Sequence, residues 1–181
     1  EAWANKLSMA VEQNPASIYI TDLAGRIEYV NEKFVATTGY PRSEAIGQDS
    51  RILRLGNVDV SVYTELWATI ESGQVWQGEL QGRRRDGTLT WERVWVSPIK
   101  DDQGKITNYL TIRENITELR EVMLRLQESE GRFRSAMSVM VEGLAILSPE
   151  GKYVFANRSV EEFMGCAAGE LIGQKPHGFP V

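Results

Sequence analysis

The sequence predicts an α+β protein: a five-stranded antiparallel sheet with helices on one face, a long connector helix, and the start of a second copy of the same domain. Three observations predict this arrangement. They are the order of alternating and helical segments, a hydrophobic seam that follows them, and a repeat between the two ends of the chain. The length of 181 residues leaves room for one to two domains.

Five segments show the composition and alternation of strands, and turn residues separate them. They are residues 18–21, 27–30, 76–84, 89–99 and 106–113. Between the second and third of them, Asn31 caps a short helix that Gly39 ends. A second helix with one apolar stripe follows and ends at Gly73. This order predicts one antiparallel sheet with its helices grouped on one face.

A repeat links the two ends of the chain. Eight identities fall in an ungapped window of 29 residues, 126 positions apart, where ordinary residue usage gives about two. The first set is Ile20, Gly25, Asn31, Gly39, Glu44, Ile46, Gly47 and Gln48, and the second is Ile146, Gly151, Asn157, Gly165, Glu170, Ile172, Gly173 and Gln174. The repeat predicts that the domain begins again near the C-terminal end.

A seam of mostly apolar residues at steps of three and four joins the two copies. Its members are Ile116, Leu119, Met123, Leu126, Glu130, Phe133, Met137 and Met140. The seam packs either on its own domain or in a parallel coiled coil, and we expect a homodimer through this helix. The predicted organisation is a flanking helix (1–13), a first domain (14–115), a coiled-coil connector (116–132) and an incomplete second domain (133–181).

Composition excludes several classes of function. The net charge of −5 disfavours nucleic-acid binding, and no apolar run approaches the roughly 20 residues of a membrane span, so we expect no membrane contact from this segment. With one cysteine, Cys166, and one histidine, His177, no Cys/His metal centre can form. The single cysteine fits a reducing cytoplasm. The carboxylate pairs have no base or nucleophile beside them, so we expect no enzyme in this segment.

Two groups of motifs resemble the PAS domain family. The first half is carried by Asp22-Leu23-x-Gly25-x-Ile27-x-Tyr29-x-Asn31, Phe34, Thr38-Gly39-Tyr40 and Ile46-Gly47. The second half is carried by Trp76-x-Gly78-Glu79, Arg84-x-Asp86-Gly87, Pro98-Ile99 and Glu114-Asn115-Ile116-Thr117-Glu118. The resemblance implies a sensory, signal-transducing domain whose sheet has a concave face that holds a cofactor or nothing.

The resemblance also implies partners. A PAS domain relays its signal to an output domain, which would lie outside this chain, such as a histidine kinase of a two-component system or a cyclic-dinucleotide synthase or phosphodiesterase. Where the family carries an aspartate in its exit motif, this chain has Asn115. Asparagine still caps a helix start, whereas a coupling that depends on the aspartate charge is in doubt.

The cofactor follows from the same comparison. A haem PAS domain needs an axial histidine, which the complete domain lacks. The LOV subgroup needs a cysteine where this chain has Ser50. The chain is more similar to the FAD-binding redox sensors, in which the tryptophan matching Trp67 lies against the flavin and the position of Ser50 is a polar neighbour of the ring. The cofactor site implied by the resemblance consists of Ile20, Asp49, Ser50, Arg51, Trp67, Trp76, Gly82 and Arg113.

One departure from the flavin pattern keeps an alternative open. The flavin groups carry an asparagine where this chain has Gly82, so the site loses two donors and an acceptor, at a cost of roughly 1–3 kcal/mol if nothing replaces them. Arg113 would offer a donor if it faces inward. Trp67 also fits core packing, and Ser50 fits a solvated loop. The alternative is a cofactor-free PAS module for dimerisation and signal relay.

Overall fold

The chain forms two compact units, Glu1–Arg120 and Glu121–Val181. Their structure, a computed structural model, describes residues 2–54 and 60–176. His177 lies outside the described residues.

The first unit is built on a five-stranded antiparallel sheet, as the sequence predicts. The strands are β1 (Ser17–Thr21), β2 (Ile27–Val30), β3 (Trp76–Arg83), β4 (Leu89–Lys100) and β5 (Ile106–Asn115). Their order in the sheet is β2-β1-β5-β4-β3. The first and last strands pair at its centre, with Tyr19 opposite Thr111. Residues from both ends of the domain therefore meet on the same sheet.

The helices of this unit precede and interrupt the sheet. They are α1 (Ala2–Glu12), α2 (Glu32–Thr38), α3 (Arg42–Ala45), a 3₁₀ helix (Ser50–Leu53) and α4 (Val60–Glu71). Two apolar clusters join α2, α3, the 3₁₀ helix and α4 to the sheet. One contains Tyr19, Ile27, Val30, Phe34, Ala45 and Leu53, and the other contains Leu66, Ile70, Trp76, Val94, Val96 and Tyr109. Their burial holds the helices on one face.

The Trp76-x-Gly78 motif has a steric reason. Trp76 is buried, and its ring lies along β3 over Gly78, where a Cβ atom would come within 2.4 Å of the ring. Such a contact is far shorter than van der Waals distance. A side chain at position 78 would therefore expel the Trp76 ring from the cluster beneath α4.

Asn31 ties the start of the domain together through its buried side chain. Its Oδ1 accepts hydrogen bonds from the backbone N–H groups of Ile18 and Phe34, each at 2.9 Å. Its Nδ2 donates to the carbonyl oxygens of Val11 and Ala16, each at 3.0 Å. One amide thus caps α2 and holds both the end of α1 and the first strand.

The second unit repeats this local structure. It contains β6 (Ala145–Leu147), β7 (Tyr153–Ala156) and α6 (Arg158–Met164). Asn157 Oδ1 accepts from the N–H groups of Leu144 and Val160, and its Nδ2 donates to the carbonyls of Met137 and Glu142. Each of these four partners lies 126 positions after the corresponding partner of Asn31. The sequence repeat is therefore a structural repeat.

The connector is the helix α5 (Thr117–Val139). It continues beyond the expected end at residue 132, and the Glu130–Arg134 ion pair, at 3.1 Å, spans Gly131. Such i,i+4 pairs support a helix. Several of its apolar side chains are exposed, among them Leu119, Met123 and Leu126, the last at 67%.

Candidate ligand-binding site

A cavity lies in the first unit where the two apolar clusters meet. Four of the five strands line it on one side, and the 3₁₀ helix and α4 line it on the other. About 60 Å³ of it admits water-sized molecules, while the whole hollow, including its open mouth, measures about 620 Å³. Ligand pockets commonly have roughly 300–1,000 Å³. In this conformation the space accessible to water-sized molecules is therefore smaller than in a common ligand pocket.

Aromatic and aliphatic side chains form most of the wall. Trp67 on α4 packs edge-to-face against Tyr109 on β5, with ring centroids 5.8 Å apart and an interplanar angle of 85°. Leu66 and Ile70 complete the α4 side. Burial raises the pKa of the Tyr109 hydroxyl, so this group stays neutral at physiological pH. Such a wall suits a flat apolar ring.

Several polar side chains also line the cavity. Thr21 comes from β1, Ser50 begins the 3₁₀ helix, and Thr111 and Arg113 lie on β5. Both threonines and Arg113 are buried, whereas Ser50 is half-buried. A mainly apolar cavity with a few converging polar groups is typical of sites for small organic ligands.

A second arginine borders the cavity near its mouth. The guanidinium carbon of Arg54 lies 3.6 Å from the centroid of the Tyr63 ring, a cation–π contact. Burial raises the pKa of the Tyr63 hydroxyl, and the positive charges of Arg54 and Arg113 oppose that rise. Burial also lowers the pKa of Arg54. The two cations therefore act on one region of the cavity.

Arg113 is held by an acid on the neighbouring strand. Its guanidinium forms an ion pair with Glu92 on β4, and both side chains are about nine-tenths buried. The hydroxyl of Thr90 donates to Oε1 of Glu92 at 2.9 Å. An ideal Cβ at Gly82 would lie 2.7 Å from Nη2 of Arg113 and 3.0 Å from Oε1 of Glu92. The ion pair thus occupies the room that the glycine leaves.

The structure brings together part of the expected cofactor site. Ser50, Trp67 and Arg113 all line the cavity. Gly82 lies directly behind the Arg113–Glu92 pair, opposite Thr90 in the strand register. Arg113 thus faces inward.

The other expected residues lie elsewhere. Asp49 and Arg51 pair with each other at 2.6 Å on the surface, which lowers the pKa of the Asp49 carboxyl. Ile20 alternates with the cavity-lining Tyr19 and Thr21, so it lies on the opposite face of β1. Trp76 is buried beneath α4, outside the cavity lining.

The sequence prediction missed Glu92, Arg54 and Thr111 as parts of the site. Glu92 had a usable signal, because it lies two residues before Val94 and four before Val96 and therefore shares their inward-facing side of the strand. An acidic residue on an otherwise apolar inward face indicates a buried partner. For Arg54 the sequence held no such signal, since it lies outside every segment whose periodicity predicts a strand or a helix.

The exit from the sheet couples β4 to α5. Asn115 Oδ1 accepts from the N–H of Thr117 at 2.9 Å and so caps the helix. The backbone of Trp91 bonds to Ile116 N and to the Thr117 hydroxyl. Arg120 stacks 3.9 Å from the Trp91 ring centroid and forms an ion pair with Glu79. That ion pair measures 2.7 Å.

Residues 2–54 and 60–176 contain neither a metal-binding group nor a membrane-spanning helix. No group of three histidine, cysteine or acidic residues there is arranged to hold a metal ion. No helix in the same ranges is long and apolar enough to cross a membrane.

Two family models match the sequence. One, described as a PAS domain, matches residues 15–118, and another PAS domain model matches residues 131–180. The chain belongs to the PAS domain family. The PAS matches cover both units, in agreement with the repeat.

The chain is similar to several proteins of known name or structure. A nitrogen fixation regulatory protein of Klebsiella oxytoca is 26% identical over 90% of this chain and 33% of its own length. The aerotaxis receptor of Escherichia coli is 32% identical over 54% of this chain and 19% of its own. A PAS domain crystal structure from Colwellia psychrerythraea has a TM-score of 0.61 at 25% identity, covering 64% of this chain and 98% of that one.

The chain spans about a third of the length of the nitrogen fixation regulatory proteins that it matches. It is a PAS sensory signalling module.

Proposed function

We propose that the first PAS domain binds a flavin, FAD, and senses redox state, and that α5 relays the signal in a homodimer to an output domain outside this chain. The observation that carries this proposal is the convergence of Trp67, Ser50 and Arg113 on one cavity. An indole face, a hydroxyl and a guanidinium offer stacking and hydrogen-bond donors to a flat heterocycle with a polar edge.

Similarity supports the same reading. The motifs around Ser50 and Trp67 resemble those of FAD-binding redox sensors that control nitrogen fixation, and a relative carries the name of a nitrogen fixation regulatory protein. A second relative is named an aerotaxis receptor. A bound flavin takes up electrons and protons, which changes its charge and its hydrogen bonds.

The residues of the cavity fit a flavin in chemistry, and the walls must move to admit it. The accessible space of about 60 Å³ is far below the roughly 300–1,000 Å³ of common ligand pockets. Of the walls, α4 contributes only Leu66 and Ile70 to the buried core. We therefore infer that α4 moves away from the sheet when the ring enters.

The relay begins at the outer face of the sheet. Backbone hydrogen bonds at Trp91 and the Arg120 ion pair fix the first turn of α5 to β3 and β4. Glu92 follows Trp91 and forms the ion pair with the cavity-lining Arg113. A shift at Arg113 therefore reaches the start of α5 through two neighbouring residues of β4.

Dimerisation would cover the exposed seam of α5. Leu119, Met123 and Leu126 are 48%, 61% and 67% exposed, and pairing with a second copy removes such surface from water. Sedimentation of a form ending before Glu114 tests this step. The truncated protein should be monomeric at concentrations where the full chain is a dimer, and an unchanged dimer affinity would exclude α5 as the dimerising element.

The small cavity also favours a second candidate, a cofactor-free PAS module. The Arg113–Glu92 pair fills the place beside Gly82 without any ligand. In that case the domain serves dimerisation and sets the register of the connector. The single cysteine of the chain fits a cytoplasmic location for either candidate.

A flavin titration separates the two candidates. The protein is purified, its visible spectrum is recorded, and FAD is added while flavin fluorescence is followed. Trp67→Ala should weaken FAD binding at least about fivefold, since stacking of this kind contributes about 1 kcal/mol or more. Trp95→Ala is the matched control, because Trp95 alternates with the inward-facing Val94 and Val96. A colourless protein that takes up no added FAD would refute the flavin proposal.

A further inference from the structure

Arg113 carries a hydrogen-bond donor without a partner in a buried position. Its side chain is 9% exposed and lines the cavity. Nη2 faces Glu92, whereas Nε has no hydrogen-bond acceptor within residues 2–54 and 60–176. A buried donor without an acceptor costs free energy, so this atom marks a place where a ligand acceptor would stabilise the site.

The surroundings hold the guanidinium of Arg113 in place. Glu92 pairs with the guanidinium, and Thr90 holds Glu92 through its hydroxyl. Gly82 provides the space, because a Cβ there would meet Nη2 of Arg113 at 2.7 Å. Arg113 is therefore set in place by three residues before any ligand arrives, as recognition by a planar guanidinium requires.

The charge of the cavity indicates which kind of atom a ligand would present to Arg113. Arg113 and Arg54 bring two positive charges toward the cavity, both acting on Tyr63, and the carboxylate of Glu92 balances one of them. A guanidinium accepts no hydrogen bonds. The complementary edge of a ring ligand therefore carries oxygen acceptors.

We propose that Arg113 determines ligand specificity by donating to the carbonyl edge of the bound heterocycle, and that Glu92 is its positioning residue. This inference rests on the proposed flavin function and extends it to the pyrimidine carbonyls at C2 and C4. The Arg113–Glu92 pair then performs, across two strands, the recognition of the ring edge that a single side chain at position 82 cannot perform here.

The test compares FAD with its 2-thio and 4-thio analogues, in which sulfur, a weak acceptor, replaces one carbonyl oxygen. Dissociation constants are measured by quenching of protein fluorescence. The unaltered protein should bind FAD at least tenfold more tightly than one of the two analogues, a factor typical of a hydrogen bond from a charged donor. Arg113→Met should bind FAD more weakly and lose this preference.

Two further variants and a control separate recognition from charge and from folding. Arg113→Lys keeps the charge without the planar fork and should recover less than half of the lost preference. Glu92→Gln should reduce the preference for FAD. Its near-ultraviolet circular dichroism spectrum, which reports the tertiary packing of the folded protein, should stay unchanged. The control is Arg93→Met, since Arg93 pairs with Glu79 at 3.2 Å on the other face of β4.

Gly82→Ala gives a readout of the geometry. Its Cβ would displace Arg113, so this variant should lose the preference for FAD as Arg113→Met does, and should add no further loss in the Arg113→Met background. If the unaltered protein binds FAD but Arg113→Met keeps the preference, the role of Arg113 is refuted while the flavin function stands. If the unaltered protein binds no FAD, both proposals fall.

Discussion

Replacing Asn31 by alanine tests whether one amide holds the start of the first domain together. The change removes four hydrogen bonds of 2.9–3.0 Å from a side chain that is fully buried. Loss of the helix cap costs about 1 kcal/mol. The buried N–H of Ile18 is left without its acceptor, at about 2 kcal/mol, and two half-buried carbonyls add about 1 kcal/mol.

The expected loss in the free energy of unfolding is therefore about 4 kcal/mol. With a urea dependence of about 2 kcal/mol per molar, the unfolding midpoint should fall by about 2 M. Asn31→Asp should cost less, since a carboxylate still accepts from Ile18 and Phe34 but cannot donate to Val11 and Ala16.

Tryptophan fluorescence makes this assay specific for one unit. All five tryptophans of the chain, at positions 3, 67, 76, 91 and 95, lie in the first unit. Asn157→Ala is the matched control, because it removes the equivalent four bonds from the second unit. A midpoint for Asn31→Ala within 0.5 M of the unaltered protein, roughly 1 kcal/mol, or an equal shift for Asn157→Ala, would refute the reasoning.

Three other predictions concern the surface network, the seam and the exit. Burial, together with the hydrogen bond to Glu12, raises the pKa of Tyr29 from 10.0 to about 12. The protonated Tyr29 hydroxyl should therefore stabilise the fold fully below pH 10, and this contribution should disappear as the pH rises towards 12. The difference in unfolding free energy between Tyr29→Phe and the unaltered protein should change only in that window. Leu126→Glu should abolish the dimer in sedimentation, while Leu124→Glu, exposed but off the seam, should not; equal effects would exclude the seam. Arg120→Ala should loosen the first turn of α5 by about 1 kcal/mol in hydrogen exchange, and unchanged exchange would exclude its role in the relay.

The fold could be predicted from the sequence because its signals are local. Alternation along each strand and the cap at Asn31 depend on neighbouring residues. The repeat was visible because its identical residues include the capping asparagine and three glycines that have positive φ in both copies, Gly25, Gly39 and Gly47 in the first and Gly151, Gly165 and Gly173 in the second. These features specified five strands, their antiparallel pairing and the return of the domain near Asn157.

The candidate site was predicted only in part, because its key contact is non-local. The sequence shows that Gly82 removes an amide, but what fills the space depends on Glu92 and Arg113, which lie on two other strands. Likewise, the motif that contains Asp49 and Arg51 gave no sign that these two side chains bind each other at the surface.

The contacts of Asn31 and Asn157 have a consequence for how consecutive domains are connected. The carbonyl of Val11 at the end of α1 and that of Met137 near the end of α5 bind the corresponding asparagines. The helix that leaves one domain is thus the helix that the next domain requires at its start. The 126 residues that separate the two asparagines therefore include the helix that the second asparagine binds, so a further copy of the domain needs no additional linker segment to form these contacts.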